Sequence, residues 1–312
     1  MNYIEYINRC LRKETELHDN LVVFGQNVSA GSFIGGMTKG IKVNSTGRII
    51  NSTNSENSLC GFGFGIMLGG ANAVFFMKQL DFLLLGVEQL VDTYNIIRNI
   101  PHKLNGSFTI MPIIVDNGYQ GPQSSLNNFA DFCSMARISG YAITNKIDAE
   151  NIISSNLVSP GFRVIGISQR LFKEEIIAPE KLIYKNDDLT LFQYDDGKDA
   201  TIVSFNFSFP QAWAIRNAMN EGGMNAALFN VNAMTPIDWI KIINSVRETG
   251  KLIVLDDSKS ANLPLYSLVA EAEIKAKPKK VIILKRELED NWLTPNQDYL
   301  EVDADKIIEE IK

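Results

Sequence analysis

Residues 57–77 carry no charged side chain and are dense in glycine and phenylalanine. Such a run must either cross a membrane or be covered by the rest of the protein. Gly61, Gly63, Gly65, Gly69, Gly70 and Asn72 make it a poor lipid-facing helix. The reading adopted is a buried helix over 59–68 that feeds a buried strand over 73–77. Glu56 stands alone at the mouth of this run, behind the neutral approach Asn51-Ser52-Thr53-Asn54-Ser55. Two readings of it are open. It caps the helix, or it is a partly buried acid able to exchange protons or hydrogen-bond a buried nitrogen.

The remaining pattern is an alternation of strands and helices. Residues 3, 7 and 11 place Tyr, Ile and Leu on one face of an N-terminal amphipathic helix that is charged throughout, unlike a signal peptide. Short apolar runs at 21–24, 49–50, 73–77, 110–115 and 161–167 read as strands, and 83–98 as a helix with one buried face. A charged stretch, 173–198, reads as a linker. A second alternating series follows, with strands at 201–205, 226–231, 252–255 and 281–284. Its helices fall at 212–220, 236–249 (Pro236 early in the helix), 265–276 and 304–311. This order implies an α/β fold of two three-layer αβα units with mostly parallel sheets. The expected domains are 1–185 and 186–312.

Composition removes several functions. The net charge is −6, and no stripe of Lys and Arg carries interleaved aromatics, so no nucleic-acid surface is expected. Cys10, Cys60 and Cys133 are far apart and form no zinc-site spacing with His18 and His102. Unpaired cysteines fit a reducing, cytoplasmic setting, and both histidines are expected to be bystanders. The segment Gly61-Phe62-Gly63-Phe64-Gly65 lacks the spacing of a phosphate-binding glycine loop. Asp256-Asp257 reads as a solvated strand end rather than a metal-binding pair.

The order of the short motifs resembles the β subunit of the 2-oxo acid dehydrogenase E1 component and, more broadly, transketolase-like thiamine diphosphate enzymes. The likeness runs over nearly the whole chain. Gly25-Gln26-Asn27-Val28 resembles a Gly-acid-acid-Val strand end, and the segment from Arg48 to Glu56 a family run that closes on Ser-Glu. The small-residue helix follows at 61–70. Asp81-Phe82, Glu88-Gln89, Thr235-Pro236-Ile237-Asp238 and Ser245-Val246 with Thr249-Gly250 match further positions.

The resemblance implies a two-domain fold that shares thiamine diphosphate with a partner. Glu56 would hydrogen-bond N1′ of the aminopyrimidine and promote loss of the C2 proton, Phe82 would stack on that ring, and Gln89 would support the site. The diphosphate and Mg2+ would be held by an α-type subunit in an α2β2 assembly, since the Gly-Asp-Gly…Asn motif is missing here. Gln123-Ser124-Ser125 stands for the family's Gln-His-Ser substrate loop, so Ser124 replaces a histidine, and Gln26 replaces an acid. The glycine-rich stretch of the second domain is likewise lost at 256–263. Serine is no general base without a partner. These departures favour transfer of a two-carbon acyl or ketol unit, from a 2-oxo acid or ketose to a carbonyl acceptor, over lipoamide-linked dehydrogenation. A lipoamide-dependent dehydrogenase β subunit and a non-catalytic structural subunit are the competing readings.

Overall fold

The computed structural model describes residues 1–100, 105–118, 120–121, 127–235, 237–286 and 300–312. The first unit is built on β1 (Leu21–Gly25), β2 (Arg48–Asn51), β3 (Asn72–Met77), β4 (Ser107–Ile114), β5 (Ser139–Ile143) and β6 (Gly161–Ser168). They lie in the order β2-β1-β3-β4-β6-β5, all parallel. Helices α1 (Tyr3–Thr15), α2 (Glu56–Leu68), α3 (Tyr94–Arg98), α4 (Phe129–Met135) and α5 (Lys146–Asn156) accompany it.

Strand alternation sends neighbouring side chains to opposite faces of this sheet. Val74 and Phe76 of β3 join the core of α1 and α5, where Ile7, Leu11 and Ile152 are buried. Ala73, Phe75 and Met77 join the core of α2 with Cys60, Phe64 and Met67. Both faces are covered, which is why β3 and β4 read as continuous apolar runs. A capping box starts α1: the Asn2 side chain accepts from Glu5 N–H at 3.0 Å, and Asn2 N–H donates to the Glu5 carboxylate at 3.3 Å.

The second unit contains β7 (Tyr184–Lys185), β8 (Leu191–Asp195), β9 (Ala200–Phe205), β10 (Ala226–Val231), β11 (Lys251–Asp256) and β12 (Lys280–Lys285). Their order is β12-β11-β9-β10-β8-β7, with β7 and β8 antiparallel additions to a parallel sheet. Helices α6 (Phe209–Glu221), α7 (Ile240–Thr249), α8 (Leu263–Lys275) and α9 (Ala304–Ile311) pack on it. The α/β expectation holds in both units.

Three expectations are corrected. The helix over 83–98 is a 3-10 segment (Leu80–Gly86), a π turn (Gln89–Thr93) and α3. The 3-10 winding aligns every third residue, so Leu80, Leu83 and Gly86 face inward while Leu84 and Leu85 are exposed. The expected linker over 173–198 contains β8, whose Leu191–Tyr194 side chains are buried although charges flank them. The helix expected wholly buried over 59–68 begins at Glu56 and buries one face only, leaving Phe62 and Leu68 each 46% exposed. Pro236 and His102 lie outside the described residues.

The two units share one apolar core, in which Ile143 and Ile165 of the first cluster with Phe192, Tyr194 and Ile202 of the second. A buried acid sits at this junction. Asp148 accepts from Thr144 Oγ1 at 2.7 Å, from Thr144 N–H at 3.1 Å, from Asn230 Nδ2 at 2.9 Å, and from the Tyr194 hydroxyl. Beside it, β5 at the edge of the first sheet pairs with residues that follow β10. Ala142 N–H donates to Asn232 O at 2.8 Å, and Met234 N–H donates to Gly140 O at 3.0 Å.

Candidate functional site

In the first sheet the strand order reverses between β1 and β3, and open parallel sheets bind ligands beyond the carboxyl ends of strands at such a point. Gly25 ends β1 there with φ +145°, and a Cβ on it would lie 2.2 Å from Phe76 O. Only glycine permits that approach. Past β1, Asn51 ties the next loop to the end of β2: its Nδ2 donates to Ser29 Oγ at 2.8 Å, and its Oδ1 accepts from Ser29 N–H at 3.0 Å.

Glu56 opens α2 just beyond β2. The cap position is Ser55, whose hydroxyl donates to Ser58 Oγ at 2.9 Å, so Glu56 is not the cap. Its side chain is half-buried, and among the described residues it has no hydrogen-bond or ion-pair partner. The 3-10 segment after β3 packs on the first turn of α2, where a Cβ on Gly86 would lie 2.9 Å from Cys60 Sγ and 3.5 Å from Glu56 O. Phe82 is half-buried on this segment and stands outside the ring cluster of Phe24, Phe64, Phe75, Phe108 and Phe162.

Gln89 braces the same turn. Its Oε1 accepts from Thr93 Oγ1 at 2.7 Å, and its Nε2 donates to Asn57 Oδ1 at 3.3 Å. Asn57 Nδ2 donates in turn to Glu88 at 2.8 Å. The fold thus brings Glu56, Gln89 and the segment bearing Phe82 to one place. Gln123 and Ser124 lie outside the described residues. Burial pushes the Cys60 thiol up to about 12, with Glu56 adding to it, and the Cys10 thiol up to about 11, so neither is a ready nucleophile. Among the described residues no three His, Cys, Asp or Glu side chains are placed to share a metal ion. None of the described helices is long and apolar enough to cross a membrane.

A second polar cluster was not expected. Asp257 is fully buried and Asp256 nearly so, against the reading of a solvated strand end. Asp257 Oδ1 accepts from Phe207 N–H at 3.0 Å and from Asn206 Nδ2 at 2.8 Å, and its other oxygen pairs with Arg170. Asp256 is held by Ser258 and by Asn262, whose Nδ2 donates at 3.1 Å. Burial raises both carboxyls. Asp257 reaches about 7, with Arg170 pulling it down and Asp116 and Asp256 pushing it up. The available signal was two acids directly after an apolar strand, too close to the core to be solvated.

No protein-family model matches the chain. Curated relatives span it almost end to end. The pyruvate dehydrogenase E1 component subunit β of Acholeplasma laidlawii is 21% identical over 282 residues, covering 88% of this chain and 84% of that protein. The 2-oxoisovalerate dehydrogenase subunit β of Bacillus subtilis is 22% identical over 276 residues, covering 84% and 81%. The B. subtilis pyruvate dehydrogenase E1 subunit β is 22% identical over 99% of both chains. Among solved structures, a split-gene transketolase described as an inactive β4 tetramer superposes with a TM-score of 0.68 at 17% identity, covering 98% of this chain and 95% of that one. These likenesses to E1 β subunits and to a transketolase support a transketolase-like α/β fold for this chain. The Campylobacter jejuni transketolase also matches this chain along its full length, with a TM-score of 0.68 at 10% identity, but only 44% of the transketolase is covered.

Proposed function

We propose that this chain is the E1 β-type subunit of a split thiamine diphosphate enzyme, cytoplasmic and paired with an α-type subunit in an α2β2 assembly. The pair would move a two-carbon acyl or ketol unit from a 2-oxo acid or ketose to a carbonyl acceptor. The observation that carries this reading is Glu56: half-buried, unpartnered among the described residues, and set at the strand-order reversal by the Asn57–Gln89 brace. An acid with open hydrogen-bonding capacity there fits a heterocyclic nitrogen donor, and the half-buried aromatic Phe82 is of a type that stacks on a flat ring.

Thiamine diphosphate, when bound, supplies an electron sink for making and breaking carbon–carbon bonds. Glu56 would hold a proton against the N1′ atom of the aminopyrimidine, in a site dry enough to strengthen that bond. Phe82 would fix the ring plane. Gln89 would keep the first turn of α2, and so the carboxyl, in register. The diphosphate and Mg2+ would rest on the α-type partner. Phe62, Leu68, Leu84 and Leu85 form exposed apolar surface on α2 and the adjoining turn, as a subunit contact requires.

The test is Glu56→Gln in the complex with the α-type partner. Turnover should fall at least about a hundredfold, the scale of general acid–base catalysis, with fold and subunit assembly kept. Wild-type turnover in that variant would remove the reading. The names of the curated relatives favour a second reading, lipoamide-linked dehydrogenation. Reductive acylation of a lipoyl domain, assayed beside carboligation with the same donor, separates the two.

A further inference from the structure

The connection that leaves β4 is held at both ends by one buried cluster that includes the second unit. At its start, Asp116 accepts from Ser168 Oγ at 2.5 Å and from Arg170 N–H at 2.9 Å, and Arg170 Nε lies 3.7 Å from its carboxylate. At its finish, Asn127 accepts at Oδ1 from Asn206 Nδ2 at 3.0 Å and donates from Nδ2 to Asp257 O at 3.1 Å. Lys259 N–H donates to Asn127 O at 2.8 Å. Arg170 joins the two ends, because its guanidinium pairs with Asp257 and also donates to Phe207 O at 3.3 Å. Asp116, Asn127 and Asp257 are fully buried.

We propose that Arg170 is a positioning residue: by bridging Asp116 and Asp257 it ties the residues that follow β4 to the end of β11, and so holds the second unit in register with the ligand end of the first sheet. The proposal rests on the thiamine reading, in which the carboxyl ends of the first sheet border the reacting substrate. Burying two carboxylates around one guanidinium is a poor route to stability, since apolar replacements of buried ion clusters are often neutral or better. What such a cluster supplies is directional geometry. Its members come from the ends of β4, β6, β9 and β11, so it registers the two sheets at the end where Glu56 and Phe82 lie.

Two readouts in the full-length protein test this. The first is amide hydrogen exchange of the free chain in three forms: Arg170→Met with Asp116→Asn and Asp257→Asn, which removes the three charges together; Asn127→Ala, which leaves them in place; and wild type. Exchange at 117–121 and 127–130 should rise at least about tenfold in both variants, while β3 and β9 stay as protected as before. The second readout is kinetic, in the complex. The variants should lower kcat/KM for donor or acceptor about tenfold or more with thiamine diphosphate affinity unchanged, and Arg170→Lys should recover part of the loss. Unchanged exchange at those segments overturns the proposal. Uniform loss of protection, or cofactor affinity falling in step with kcat/KM, also overturns it, because either marks a merely structural role. If the wild-type complex has no thiamine-dependent turnover, the functional reading fails, and the exchange data still decide the clamp.

Discussion

Gly25 is the residue on which the geometry of the candidate site turns. Its φ of +145° and the 2.2 Å gap between a Cβ and Phe76 O leave no room for a side chain against rigid backbone. Gly25→Ala should therefore cost on the order of 3 kcal/mol through strain and displaced backbone, read as a lowered urea midpoint. A loss below about 1 kcal/mol would mean that β1 and β3 can separate there. Glu56 was legible in the sequence because it is the only charge at the mouth of an uncharged run, and that contrast survives without any structure. Phe82 and Gln89 were named only through resemblance, since a half-buried ring and a surface amide leave no periodic mark. The partners of Arg170 were not legible at all. They lie on strand ends as far apart as Asp116 and Asp257, and no local pattern links them.

At the scale of elements, α2 separates its glycines by face. A Cβ on Gly63 would meet the Phe108 ring at 2.2 Å, whereas one on Gly65 would meet nothing within 4 Å. Gly63→Ala should destabilise the chain by overpacking, by about 1–3 kcal/mol. Gly65→Ala should stabilise the isolated chain by up to about 1 kcal/mol through helix propensity. If α2 packs closely on a partner, the same Gly65→Ala change should weaken assembly with the proposed α-type subunit, a split that denaturation and sedimentation-based binding measurements resolve. Destabilisation of the isolated chain by Gly65→Ala would refute the open-face geometry. Elements with strong apolar periods, such as α1 and β3, were legible in the sequence. The 126–160 region was not: α5 buries Asp148 on its inner face, which erases the apolar stripe, and β5 is a short Ser-Gly-Tyr-Ala-Ile run. Charges at Asp187, Asp188, Asp195 and Asp196 disguised β8 in the same way.

For the whole molecule, buried acids set the response to pH. Burial raises the carboxyls of Asp148, Asp256 and Asp257, the last to about 7. An unfolded aspartate titrates near about 4, so the folded chain keeps protons that the unfolded chain has already released. Stability from such groups is full below about pH 4 and is lost as pH rises through the folded value, near 7 for Asp257. The slope for one proton is at most about 1.4 kcal/mol per pH unit. The urea midpoint should fall between about pH 5 and pH 7.5, and Asp257→Asn should flatten that fall whatever its effect on absolute stability. An equally steep fall in the variant would free Asp257 of this role.

The strand pairing at the edge of the first sheet has a bearing on how the chain is made. The partner of β5 is the stretch Asn232–Met234, which leaves the ribosome well after Ser168 has completed that sheet. At ordinary elongation rates the interval is roughly 3 to 13 seconds. Throughout it a nascent first unit presents an open edge, the feature by which sheets of neighbouring chains join. Synthesis is thus a stage at which this protein is exposed to aggregation through that edge, and truncation anywhere between the two units would make that passing hazard permanent.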